Sequence, residues 1–490
     1  MSATTTLAAR VFPRLYRDSV TLMALASTIE KRDGVVRVGA VMGTPGNLDI
    51  LDRSDMRPAD LATAPDDLVV VVRAVDEETV AAALDAAEAG LTAVESARSA
   101  HEAPAPQTVA EGLATGDRAT LATVSTPGTY APVVVEQALR AGLHVFCFSD
   151  NVPLEDEVRL KAMAAERRLL LMGPDCGTAI LDGVPLGFAN VVRRGPVGIV
   201  AASGTGAQEV SCLLHRAGTG VSQVVGVGGR DLSFAVGGTM THLALDLLAE
   251  DDATQVVVVV SKPPAAEVAE RLLARLATLG KPAVACLLGE DDADGPVPVR
   301  GTLEAGARTA AALVGAELDL GDEQPRLPEG VALPAARGVL GLYTGGTLAS
   351  EAKVVLGRAS VTPEILDLGD DEYTQGRPHP MIDPSGRSAM VVEAGSRPEI
   401  GILLVDLVLG HGAAADPATP LAEAVAAAVA AARADGRELL VVGSVCGTDA
   451  DPQDVDAARR ALAAAGVVVH PSNAAAARTA AAVATRKELA

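Results

Sequence analysis

At 490 residues the chain is long enough for about three domains of roughly 100–200 residues each. Acidic residues outnumber basic ones 63 to 40, a net charge of −23, which argues against nucleic acid or an anionic membrane as a partner and leaves room for a local site for a small anionic substrate. Aromatics make up 2% with no Trp, so the cores have to be built from Ala, Val and Leu.

The N-terminal "MSATTTLAARVFPRLYRDSV" lacks the apolar core of a signal peptide, and no run of 18 apolar residues follows anywhere, so a cytoplasmic chain without a membrane span is expected. Cys147, Cys176, Cys212, Cys286 and Cys446 are dispersed and contain no CxxC, which excludes a disulfide framework or a cysteine zinc site and suits a reducing compartment. No set of His, Asp or Glu has metal-ligand spacing.

Short β-branched runs alternate with longer Ala/Leu/Glu segments, the rhythm of βαβ units and parallel sheets. The runs "DLVVVVR" near Val70, "QVVVVVS" at Gln255–Ser261, "GILLVDLV" at Gly401–Val408 and "ELLVVGSV" at Glu438–Val445 read as strands covered on both faces. Residues 96–116 read as a surface excursion, and 318–337, rich in Pro, Gly and acid, as the best linker. With a further boundary at Val191–Pro196, the expected domains are 1–194, 195–325 and 330–490. "VMGTPGN" (Val41–Asn47) and "STPGTYA" (Ser125–Ala131) place Gly and Thr between a strand and a helix in the first of these. The GxGxxG fingerprint is absent there, which argues against a nicotinamide cofactor.

The second and third segments read as repeats of one unit. Each opens with a strand ("VGIVAA", "VLGLYT") that runs into a related motif: "SGTGAQE" at Ser203–Glu209 and "GGTLASE" at Gly345–Glu351, the central Gly recurring 142 residues on. Element order makes both flavodoxin-like doubly wound domains. A strand, small residues and then a helix expose unpaired backbone N–H groups and the positive end of the helix dipole, which together attract phosphate. Ser203-Gly204-Thr205 and Gly345-Gly346-Thr347 are the candidate phosphate-binding residues, with Thr344 as a further hydroxyl donor, and two facing helix N-termini can hold one phosphoryl group between them. The plain alternative is a pair of N-caps.

Gly229, Arg230 and Asp231 in "GGRD" follow a strand at the same edge, where Arg230 can clamp a carboxylate or phosphate; the alternative is a loop ion pair. Arg377 and His379 in "QGRPHPMIDP" occupy the comparable third-domain loop, with Asp371 and Tyr373 nearby. His379 is the candidate for proton transfer or for hydrogen bonding to the transferred group. Cys176 in "GPDCGT" has no histidine close in sequence to activate it and reads as a small packed residue. His411, at a strand end in "LGHGAAADP", is a weaker candidate.

The segment Met172–Val210, "MGPDCGTAILDGVPLGFANVVRRGPVGIVAASGTGAQEV", with "GVGGRDLSFAVGGT", "VSKPPA", "GLYTGGTLASEA" and "GRPHPMIDP", closely resembles the FdrA family; "RDSVTLM", "VMGTPGN" and "FSDNVPLEDEVRLK" fit it too, so the likeness spans nearly the whole chain. That family is similar to succinyl-CoA ligases and ATP-citrate lyase. The resemblance implies an α/β chain with a Rossmann-like CoA-binding domain at 1–194, a ligase α-type flavodoxin-like domain at 195–325 and a ligase β C-terminal-type domain at 330–490. It implies that the two Gly-Thr motifs bind the phosphate that the ligases carry on a histidine. It places the ligase Gly-Pro-Asn-Cys loop on Gly173, Pro174, Asp175 and Cys176, and the glutamate supporting that histidine approximately on Asp246.

Two departures qualify the resemblance. No histidine follows the strand in "KPAVACLLGEDDADGPVPV" (Lys281–Val299), where the ligases carry theirs, and no ATP-grasp nucleotide-binding domain precedes the third segment. A phosphate cradle without a relay suits a substrate that already carries activated phosphate. The resemblance implies one subunit of an oxamate carbamoyltransferase of purine and allantoin breakdown: oxalurate and phosphate give oxamate and carbamoyl phosphate, with the other subunits on separate chains and CoA left open as a ligand. The alternatives are an ATP-dependent acyl-CoA ligase whose nucleotide-binding domain sits on another chain, and a non-catalytic scaffold that binds CoA or an acyl phosphate.

Overall fold

The structure is a computed structural model that describes residues 5–486 except 18, 60, 98–105, 117, 322–324, 326, 329 and 375–377. The chain forms two compact units, one comprising residues 1–105 with 371–378, the other 106–370 with 379–490.

The first unit runs β1 (Thr6–Phe12), α1 (Ser19–Glu30), β2 (Val35–Met42), α2 (Pro45–Arg53), β3 (Leu68–Ala74) and α3 (Glu77–Ala97). Its sheet has the order β1-β3-β2 and both pairings are antiparallel. Side chains alternate across a strand, and here both faces are covered. Val70 and Val72 of β3 pack with Leu22 and Ile29 of α1 and Val80, Leu84 and Ala87 of α3. Val69 and Val71 pack the other way, onto Leu51 of α2 and Met56. Thr44 caps α2 by accepting the Asn47 N–H, with Pro45 in the first turn, which fixes the helix start in "MGTPGN". The expectation of one Rossmann-like domain over 1–194 is therefore corrected: the described residues from β1 to α3 build a separate antiparallel unit.

The second unit begins with α4 (Val109–Ala114) and a parallel sheet of order β4-β5-β6, made of β4 (Leu121–Val124), α5 (Ala131–Arg140), β5 (His144–Cys147), α6 (Leu154–Glu166) and β6 (Leu171–Met172). The antiparallel hairpin β7 (Thr178–Leu181) and β8 (Val184–Gly187) comes next. The hairpin does not stay with the sheet before it but joins the one that follows, so the expected boundary near residue 194 falls inside a sheet.

That sheet is built from β9 (Arg194–Ala201), α7 (Gly204–Arg216), β10 (Val221–Gly226), α8 (Thr239–Glu250), β11 (Val256–Ser261), α9 (Ala266–Ala277), β12 (Ala283–Leu287), β13 (Val299–Arg300) and α10 (Leu303–Leu313). Its order is β13-β12-β11-β9-β10-β7-β8. The last sheet, of order β15-β14-β16-β17-β18, is built from β14 (Gly338–Tyr343), α11 (Gly346–Arg358), β15 (Glu364–Asp367), α13 (Ser385–Ala394), β16 (Ile400–Val408), α14 (Ala418–Ala434), β17 (Leu440–Cys446), α15 (Val455–Ala464), β18 (Val467–His470) and α16 (Asn473–Thr485); the turn α12 (Asp371–Thr374) belongs to the first unit.

Counted from β9 in one and from β14 in the other, the last two sheets contain the doubly wound order 2-1-3-4-5, with parallel pairings throughout that run. The two sheets share one core: Ala207, Val210 and Leu214 of α7, Leu348, Ala352 and Leu356 of α11 and Ala476, Ala477 and Ala480 of α16 belong to a single buried cluster. Alanines at these helix contacts let the backbones approach closely, which puts the starts of α7 and α11 side by side. No helix among the described residues is long and apolar enough to cross a membrane.

Candidate functional site

In an order of 2-1-3-4-5 the chain reverses direction between strands 1 and 3, and ligands bind at the carboxyl edge there. In this chain those edges are the ends of β9 and β14, which lead into the two Gly-Thr motifs. Ser203 is extended (φ −163°) and caps α7, its Oγ accepting the Gly206 N–H at 3.0 Å. The same Oγ lies 2.5 Å from Thr347 Oγ1, and the Thr347 N–H donates to Thr205 Oγ1 at 3.2 Å. All three hydroxyl residues are buried. The two motifs therefore touch directly. No ligand atom fits between Ser203 Oγ and Thr347 Oγ1, which corrects the expectation of a phosphoryl group held between the helices. The N–H groups of Gly204 and Thr205, at the open start of α7, have no acceptor among the described residues.

The N-terminus of α11 is already served by carboxylates. Gly345 supplies no side-chain cap. Instead Asp406 of β16 accepts the Thr344 N–H and the Gly345 N–H, each at 2.8 Å, and the Thr344 hydroxyl at 3.0 Å. Arg387 of α13 balances it with an ion pair at 3.0 Å, both side chains being buried. Asp367, at the end of β15, accepts the Gly369 N–H through Oδ1 at 3.1 Å, and its Oδ2 lies over Gly346: a Cβ on Gly346 would come within 2.2 Å of it. Burial pushes this carboxyl up, and Lys262, exposed beyond β11, opposes that shift. Sequence reasoning passed over Asp367, Asp406 and Arg387. The available signal was an acid inside the otherwise apolar strand "GILLVDLV".

His379 stands beside this edge. Its Nδ1 accepts the Met381 N–H at 3.2 Å, its ring lies 5.5 Å from that of Phe188, and a Cβ on Gly369 would meet Nε2 at 2.4 Å and the Thr344 carbonyl at 3.0 Å. Burial pushes the imidazole down to about 4, so near neutrality it is an uncharged ring whose Nε2 carries the hydrogen. That suits hydrogen bonding to a transferred group and disfavours the role of a strong proton carrier. Arg377 lies outside the described residues, and Tyr373 is in α12, which belongs to the other unit.

The "GPDC" and "GGRD" loops come together. A Cβ on Gly228 would strike the Pro174 carbonyl at 2.3 Å, and Gly229 faces Asp175 Oδ2. The Asp175 N–H donates to the Ser149 carbonyl at 2.9 Å and the Cys176 N–H to that of Cys147 at 3.1 Å, while Gly173 takes a positive φ of 102°. The first loop continues to Thr178, whose hydroxyl abuts Gly204 of α7. Burial pushes the Cys176 thiol up to about 12, so it is a packed residue and not a nucleophile.

Arg230 is committed to a salt bridge with Glu157 at 2.8 Å and a hydrogen bond to the Val152 carbonyl at 2.8 Å. Lys161, fully buried, ties Glu157 to Asp231 at 2.8 Å each. Asp231 in turn accepts the Thr241 N–H and hydroxyl, doing for α8 what the left-handed Gly238 cannot. In this structure Arg230 and Asp231 join α6 to the loop after β10. Asp246 is held by Arg275 at 2.6 Å on the side of α8. His411 takes part in a bridge with Ala189. The segment after β12 carries Glu290, Asp291, Asp292 and Asp294 and no histidine. Among the described residues no group of His, Cys, Asp and Glu can hold a metal ion.

YahF of Escherichia coli K12, a protein without an assigned function, is 38% identical to the chain over 496 aligned positions covering 94% of this chain and 95% of YahF. The chain belongs to the YahF family. Residues 342–483 match the CoA-ligase family model, so the last sheet is a CoA-ligase-type domain. The alpha 1 subunit of ADP-forming succinate–CoA ligase of Archaeoglobus fulgidus is 29% identical over 204 residues, 41% of this chain and 68% of that subunit. Among solved structures, the dinucleotide-forming acetyl-coenzyme A synthetase 1 of Ca. Korarchaeum cryptofilum with phosphate and ADP overlaps 79% of this chain and 87% of its own at 16% identity and a TM-score of 0.32. ATP citrate lyase of Methanothrix soehngenii with citrate and coenzyme A overlaps 43% and 38% at 17% identity and a TM-score of 0.34.

Residues 4–107 match a model described as the AllF heavy metal-associated domain. Soft metals are held by thiolates and imidazoles. This stretch has no cysteine, and its one histidine, His101, lies outside the described residues, so the residues present do not fit a heavy metal.

Proposed function

We propose that the chain is an FdrA-type subunit of a multi-subunit transferase that moves a carbamoyl or related acyl group to or from phosphate. The observation that carries this reading is the meeting of the two Gly-Thr motifs in one buried contact, in a chain with no histidine after β12 to relay a phosphoryl group. The outer N–H groups of Gly204 and Thr205, at the positive end of α7, are the anion-binding surface that remains. With oxalurate as substrate, a phosphate oxygen attacks the carbamoyl carbon, the bond from that carbon to the inner nitrogen breaks, and the phosphate proton passes to that nitrogen. Oxamate and carbamoyl phosphate result, and in this reading the uncharged His379, with its Nδ1 accepting the Met381 N–H, offers Nε2–H as a hydrogen-bond donor to the group in transit. Backbone donors aimed at the developing charge lower the barrier electrostatically.

The second reading, an acyl-CoA ligase whose nucleotide-binding domain is on another chain, is favoured by the CoA-ligase match over 342–483. CoA is a candidate ligand on that ground. A scaffold that binds CoA or an acyl phosphate without turnover is the third reading. The chain should be purified alone and with candidate partner subunits, then assayed for carbamoyl phosphate formation from oxalurate and phosphate and for CoA-dependent ATP hydrolysis. Carbamoyl phosphate formed only by the complex supports the proposal, ATP turnover dependent on CoA replaces it with the ligase, and binding without turnover leaves the scaffold.

A further inference from the structure

The last residue of each Gly-Thr motif points into the protein. Glu209 on α7 and Glu351 on α11 are buried, and both meet Asn473 at the start of α16. The Asn473 N–H donates to Glu209 Oε1 at 3.2 Å, and Asn473 Nδ2 donates to Glu351 Oε2 at 2.8 Å. The other Nδ2 hydrogen goes to the Leu348 carbonyl at 2.9 Å, and Glu351 Oε1 accepts the Leu303 N–H at 2.6 Å. One asparagine thus joins the equivalent glutamates of both repeats.

Two features of this junction need a hydrogen that no ionised carboxylate can supply. Asn473 Oδ1 is buried and accepts from no donor among the described residues. An ionised carboxylate only accepts, so it cannot satisfy that oxygen; a protonated one can. Neither Glu209 nor Glu351 has a cation at ion-pair distance among the described residues, since the nearby Arg478 and Arg308 both engage Glu304. Two unpaired anions side by side in a dry core are untenable.

We propose that Glu209 and Glu351 form a proton-holding latch: the pair carries a hydrogen that it donates to Asn473 Oδ1, and loss of that proton to solvent loosens the junction that sets the spacing of α7 and α11. The two glutamates are positioning residues, acting through the Ser203–Thr347 contact, four residues before Glu351 on α11 and six before Glu209 on α7. Burial agrees with this, pushing Glu209 up to about 7 and Glu351 up to about 8. The other groups facing the pair are Glu304 with Arg478, Asp406 with Arg387, Arg216, Tyr343 and the thiols of Cys446, Cys212 and Cys286. Cys446 and Tyr343 are both held well above their ordinary values, which keeps their protons on across the window.

A carboxyl raised in the folded chain binds protons that the unfolded chain has released. Its contribution is therefore full below the ordinary value of 4.5, falls as pH rises toward about 8, and is flat above that. The test is thermal unfolding and infrared spectroscopy of the full chain between about pH 6 and 9, with Glu209→Gln, Glu351→Gln and the exposed Glu399→Gln as control. The wild type and the control should lose several degrees of Tm across the window and show a protonated-carboxyl carbonyl band that disappears with rising pH. Either latch variant should flatten the Tm profile and remove part of the band. If the variants fail to fold, the titrating band of the wild type decides alone. A wild type with no such band at the acid end, or latch variants whose profiles run parallel to the control, overturns the latch, whatever becomes of the proposed transferase reading.

Discussion

Gly346 lacks a side chain where Asp367 needs the space. The contact of 2.2 Å between Oδ2 and a Cβ at that position leaves no room for Ala without moving the carboxylate. Gly346→Ala is expected to cost about 1–3 kcal/mol in urea unfolding, as overpacking of a closed site does. Asp367→Ala in the same chain should recover much of that loss, giving the strong non-additivity of residues in direct contact. Additive losses would show that Asp367 does not lie over the helix start. Asp406 illustrates why part of the site was hidden from the sequence. Its partners Thr344 and Gly345 are 62 and 61 positions away, and only sheet order brings them to it. The motifs themselves were legible because a strand, small residues and a helix start are adjacent in sequence. Their partners Asp367, Asp406, Arg387 and Asn473 were not, because each reaches its motif across a fold.

At the scale of elements, periodicity reports how a strand is covered and not which way its neighbour runs. "LVVVV" in β3 is buried on both faces, as a strand in a parallel sheet would be, yet both its neighbours are antiparallel. That is why the repeats with alternating strands and helices could be read correctly as doubly wound sheets, while the antiparallel first unit could not. The alanine richness of α16 also has a definite use. Ala480 is fully buried in the core shared by α7, α11 and α16, where helix backbones come close. Ala480→Leu should destabilise the chain by about 1–3 kcal/mol, because a well-packed core cannot take the added carbons without backbone shifts. A change within measurement error by urea unfolding would mean the helices can separate freely at that point. The hairpin β7–β8 shows the same limit of local reading: Val224 of β10 pairs with Ile180 far upstream, and nothing local to either strand announces it.

For the molecule as a whole, charge and cysteine distribution carry the clearest functional limits. Acids outnumber bases 63 to 40, and several of the bases near the candidate site, such as Arg230, Lys161 and Arg387, are spent on internal ion pairs. The first unit contains no cysteine despite its match to a heavy metal-associated model. The full chain is therefore expected to take up no stoichiometric copper(I) or zinc(II), and a chelator should leave its Tm unchanged; equimolar metal retained after gel filtration and detected by elemental analysis would contradict this.

The contact between Ser203 and Thr347 joins two sheets carried on one polypeptide. Tethering turns what would be an encounter of separate molecules into a first-order event, with an effective concentration on the order of millimolar for a short flexible link. Dilution then cannot part the two motifs, and their docking does not depend on how much protein the cell makes. The edge where the two motifs meet is thus assembled within the chain itself, and no intermolecular affinity is needed to bring them together.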